Sequence, residues 1–87
     1  IPKEVLEAVR FALTQFQAAV AAFVWAWEGD TPHILVVVDD ELASRQVCTR
    51  LIRTHYPDPN LGIHYEYWEK WRPQDGFGGY TRIYLRV

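Results

Sequence analysis

The stretch KEVLEAVRFALTQFQAAVAAFVWAWE, residues 3–28 of an 87-residue chain, decides the architecture, because its apolar spacing admits a helix along its whole length. Pro2 suits a helix start, Glu4 and Glu7 favour the positive N-terminal end, and Gly29 supplies a stop. At about 100° per residue, Val5, Val9, Ala12, Leu13, Phe16, Val20, Phe23 and Trp27 fall in one arc wide enough to face a core. A second stripe, Ala8, Phe11, Gln15, Ala18, Ala22 and Trp25, is spaced alternately three and four apart on nearly the opposite side, the pattern of a helix-to-helix seam. Such a helix would be about 39 Å long, against roughly 31 Å for the diameter of a compact chain of this size. The expectation is therefore a homodimer in which two first helices pack antiparallel about Ala18, with Phe11 of one copy near Trp25 of the other.

Downstream, Asp30, Thr31 and Pro32 make a turn into Ile34–Val38, a wholly apolar run rich in β-branched residues, which reads as a strand covered on both faces. Asp39, Asp40 and Glu41 open a second helix reaching His55 or Tyr56, with Ala43, Val47, Cys48, Leu51, Ile52 and His55 as its buried stripe. Pro57 and Pro59 end it. Residues 62–70 and 80–87 alternate like half-buried strands, joined through Arg72–Gly79 as a loop or glycine bulge. The predicted fold class is α+β, a two-layer sandwich in α-β-α-β-β order: a three-stranded mixed sheet with two helices on one face. The hairpin strands are expected to be neighbours, with the first two strands parallel, although the apolar first strand suits a central place. Residues 1–87 read as one domain, and the opening on Ile1 rather than methionine leaves room for a longer parent chain.

The chain is 49% hydrophobic and 15% aromatic, rich enough in core-forming residues to fold. A net charge of -2 gives the molecule no field that draws it to nucleic acid or to an acidic membrane. Its longest apolar run, 18–27, is about half of a membrane-spanning helix, so no membrane segment is expected. The single cysteine, Cys48, cannot form an intrachain disulfide, which points to a reducing compartment, the cytoplasm.

Residues 34–41, ILVVVDDE, resemble the first strand and acidic corner of a bacterial receiver domain. The likeness is confined to these eight residues. Receiver domains begin with that strand and need a phosphoacceptor aspartate and a lysine after later strands, whereas this chain begins with a helix. Asp39, Asp40 and Glu41 accordingly read as helix-capping residues, with a small metal-dependent enzyme using that corner as an alternative. His33, His55 and His64 lack metal-ligand spacing, and Cys48 has no neighbour to lower its pKa, so no catalytic residue, metal or cofactor is assigned.

The best ligand surface is the sheet face of His64, Glu66, Trp68, Arg82, Tyr84 and Arg86, where aromatics beside arginines could stack bases of single-stranded nucleic acid. Cross-strand pairing beneath a second subunit accounts for the same residues, and Glu66 opposes phosphate. The leading expectation is a non-enzymatic homodimeric binding or assembly module with an unidentified protein partner, and nucleic-acid binding is its alternative.

Overall fold

A computed structural model describes residues 1–26, 31–69 and 81–86. Its elements run α1 (Lys3–Thr14), β1 (Ala19–Trp25), β2 (His33–Val38), α2 (Arg45–His55), β3 (Gly62–Tyr67) and β4 (Thr81–Leu85). The fold is α+β with two helices and a mixed sheet, but the sheet has four strands in the order β3-β2-β1-β4. β1 pairs antiparallel with β2 and β4, and β2 pairs in parallel with β3.

The long first helix is corrected to a short helix and a strand. After Thr14 the backbone tightens, the Gln15 and Phe16 amides donating to Ala12 and Leu13 at 3.1 and 3.2 Å, and the chain turns to enter β1. A helix apolar on two opposite stripes needs a partner on each. As an inner strand the same residues bury both faces and pair their backbone on both sides. Ala19, Ala22 and Val24 join the core that includes both helices, whereas Ala21 is buried outside that cluster, opposite Val37 of β2. The first helical stripe survives where α1 does, with Val5, Val9, Ala12 and Leu13 buried.

β2 has the central place its composition suits. Ile34, Val36 and Val38 meet Cys48 and Ile52 of α2 and the buried face of α1 in one core. α2 begins at Arg45 rather than at the acidic residues, because Ser44 is its N-cap and accepts from the Val47 amide at 3.3 Å. Asp40 instead closes the preceding turn, accepting from Leu42 N–H at 2.9 Å. β2 and β3 run parallel, as expected, and are paired, but β3 and β4 are not neighbours: they are the two edges of the sheet. The expected loop at Arg72–Gly79 and the core role of Trp27 lie outside the described residues. Among those residues, no helix is long and apolar enough to cross a membrane.

Candidate functional site

The residues grouped as one ligand face are divided between the two edges. His64 and Glu66 lie on β3, with Trp68 just past its end, whereas Arg82 and Tyr84 lie on β4 with Arg86 just past it. Two strands separate the groups, about 14 Å at ordinary strand spacing. The expectation failed because it assumed a β3–β4 hairpin. Arg86 is also engaged within the chain, holding the Asp39 carboxylate at 2.6 Å and donating to the Gln17 carbonyl at 2.7 Å. The proposed helical seam does not exist as one face. Phe11 is on α1, against His55 of α2 at 4.7 Å between ring centroids. Gln15 and Ala18 are in the turn, and Ala22 and Trp25 are on β1, with Ala22 fully buried.

Asp39, Asp40 and Glu41 do not come together as a metal-holding group, nor do any three His, Cys, Asp or Glu side chains among the described residues. Their charge is felt at Tyr67, whose phenol is held above its ordinary pKa by desolvation and then by Glu69, Glu41, Asp40 and Asp39. Cys48 is fully buried, and desolvation raises its pKa, so the thiol stays protonated and a poor nucleophile. Next to it, burial pushes the Tyr65 phenol well above its usual range. That hydroxyl shares a hydrogen bond with Thr49 at 2.5 Å, and the Arg45 guanidinium lies 5.8 Å from the ring. These contacts tie β3 to α2.

Two features escape sequence reasoning. The first is an aromatic group at one end of the sheet. Trp25 pairs with His33 across β1–β2, and its ring stacks on both His33 and His64, at 5.4 and 5.6 Å between centroids. His33 Nδ1 and His64 Nε2 are 3.3 Å apart. No sequence spacing announces this pair, since parallel β2–β3 pairing alone brings the two histidines together.

The second feature is the β3 edge. The Gly62 and Trp68 amides donate to Pro32 and Val38, at 3.1 and 2.9 Å. Because amides alternate direction along a strand, those of Ile63, Tyr65 and Tyr67 point away from β2. The ends of this outer row are capped: Glu66 Oε1 accepts from Tyr67 N–H at 3.2 Å, and Arg53 donates to the Leu61 carbonyl at 3.2 Å. Between them, at Ile63 and Tyr65, no partner is seen among the described residues. The chain matches no protein-family description and no curated protein.

Proposed function

We propose that the protein is a non-enzymatic assembly module that forms a homodimer by pairing β3 with β3 of a second copy. The observation that carries this reading is the regular β3 edge, whose central residues Ile63 and Tyr65 meet no outer partner among the described residues. An unpaired strand edge is a template for another chain. A two-fold axis normal to the sheet keeps each face on its own side, so it must pass beside a residue rather than between two. Centred on Tyr65, the register overlaps the strand from Gly62 to Trp68 and sets His64 of each copy opposite Glu66 of the other. That pair is a non-hydrogen-bonded one, in which side chains approach closely, and its partners are complementary. The same register lays Trp68 of one copy beside Gly62 of the other, where an aromatic covers the missing side chain. Centring on Glu66 would oppose two carboxylates, and centring on Ile63 or Tyr67 would shorten the overlap.

Sedimentation equilibrium of the whole chain over a concentration series tests the reading. The expected mass approaches twice 10.2 kDa, falls toward the monomer in Glu66→Lys, and returns in the swap His64→Glu with Glu66→Lys. A wild-type mass of 10.2 kDa throughout would overturn the proposal, as would a dimer indifferent to Glu66→Lys.

A further inference from the structure

We infer that the β3-paired dimer binds a linear polyphosphate in a cleft between its two α2 helices; the inference rests on the pairing proposed above. α2 holds three of the chain's nine lysine and arginine residues, Arg45, Arg50 and Arg53, and none of its 11 acidic ones. No ion pair joins any of the three to a carboxylate among the described residues. Asp58, on the turn that Arg53 braces, accepts from the Asn60 N–H at 2.9 Å instead.

The basic row is aimed at the edge that pairs. Arg45 lies over the Tyr65 ring at 5.8 Å, the Thr49 hydroxyl bonds the Tyr65 phenol, and Arg53 donates to the Asp58 and Leu61 carbonyls at 2.9 and 3.2 Å. Residues 45, 49 and 53 recur at helical spacing, so one side of α2, about 12 Å long, faces β3. A two-fold axis normal to the sheet at Tyr65 sets the two α2 helices antiparallel on one face, with Arg45 of each copy toward Arg53 of the other. Cys48 and Ile52 share a core with β2 while Thr49 reaches β3, so α2 lies over that strand pair. The two helices then stand two strand spacings apart, roughly 10 Å. Arg50 is exposed and neighbours Arg53 around the helix, at the mouth of the cleft. The dimer thus gathers six guanidinium charges, three from each copy, which no acidic side chain of α2 offsets.

Such a cluster calls for a compact anion of high charge. Tyr65 and the backbone carbonyls already place Arg45 and Arg53, so little side-chain freedom is lost on binding. The planar guanidinium fork matches phosphate oxygens. An extended acidic peptide turns alternate carboxylates away from the cleft. A nucleic-acid strand gains from stacking its bases, for which this side offers only Tyr65, half-buried and bonded to Thr49. Charges farther away than a Debye length, about 8 Å at physiological salt, are screened, so the net charge of -2 does not decide binding here.

Calorimetric titration of the whole chain with sodium tripolyphosphate, beside sedimentation equilibrium with and without it, tests the site. One anion per two chains is expected. Dimerisation should be at least about tenfold tighter with the anion than with sodium chloride at equal ionic strength, because the anion offsets the repulsion between facing arginines. Arg50→Gln should weaken tripolyphosphate binding at least about fivefold while strand pairing and circular dichroism stay unchanged. A wild type that dimerises yet binds no tripolyphosphate, or binds one per chain, would overturn the inference and leave the pairing standing. Binding unchanged in Arg50→Gln would overturn it too. A chain that stays monomeric with and without the anion would sink the pairing and the site together. Tighter binding of hexaglutamate or of a thymidine hexanucleotide would refute the choice of polyphosphate, giving the cleft to a protein segment or to a nucleic-acid strand.

Discussion

The two edges of the sheet are finished in opposite ways. At β4 the obstruction is central: the ladder with β1 slips between Ala22–Tyr84 and Phe23–Arg82, leaving Ile83 as a bulged residue. Arg10 of α1 then donates from Nε to the Ile83 carbonyl at 2.7 Å. A bulge and a cation at mid-strand are standard ways of making an edge unfit for pairing. At β3 the register is unbroken over all six positions, and among the described residues only the ends of its outer row are capped. Exposure of a strand therefore does not by itself separate an edge fit for pairing from a blunted one. The position of the obstruction along the strand does.

The largest expected effect contrasts how the edges are anchored. Ile83 is buried in the core, whereas Ile63 is half-buried against it. Ile83→Ala should cost about 3 kcal/mol in chemical denaturation and Ile63→Ala about 1. Equal costs would mean that β3 is no less tied to the core than β4. Next, Arg10→Ala should cost about 1 kcal/mol by leaving the Ile83 carbonyl without its charged donor. It should also unmask the β4 edge, so that light scattering shows mass rising with concentration beyond wild type; an unchanged profile would assign the protection to the bulge alone.

Tyr65→Phe sharpens the comparison at β3. Losing the Thr49 bond should cost about 1 kcal/mol. The pH dependence has a definite sign. Burial raises the phenol's pKa in the folded state, so its contribution to stability is full below the unfolded value of 10.0 and is lost as pH rises above it. Thermal unfolding should show wild-type stability declining above about pH 10, with a shallower decline in Tyr65→Phe. The smallest effect concerns the turn leading into α2. Since Ser44 is the cap, Asp40→Ala should cost only a few tenths of a kcal/mol, whereas Ser44→Ala should cost about 1. The opposite order would return the capping role to the acidic residues.

What the sequence made legible was local. The buried stripe of α1, the run Ile34–Val38 as an inner strand, the end of α2 near His55 and the alternation of β3 all follow from periodicity and the placing of proline. Ala19–Trp25 was not legible, because alanine favours a helix and seven apolar residues carry neither period distinctly. Only pairing on both sides decides for a strand. The expected ligand face depended on that misreading: with β1 hidden in a helix, β3 and β4 appeared adjacent and the arginines appeared beside His64, whereas the closeness of His33 to His64 turned on a sheet order the sequence left open.

The place of β1 also bears on how the molecule forms and fails. Its two neighbours differ greatly in distance along the chain: Val24 meets Ile34 on one side, while Ala21 meets Leu85 on the other. Contacts between near segments close quickly and those between remote segments slowly, so β4 should dock late during folding. Whenever it is away, AVAAFVW presents an uncharged, proline-free edge, the composition that seeds cross-β aggregation. β4 then serves as a kinetic guard over an apolar run that would otherwise lie open, and amide hydrogen exchange along β1 should report how often that guard is lowered.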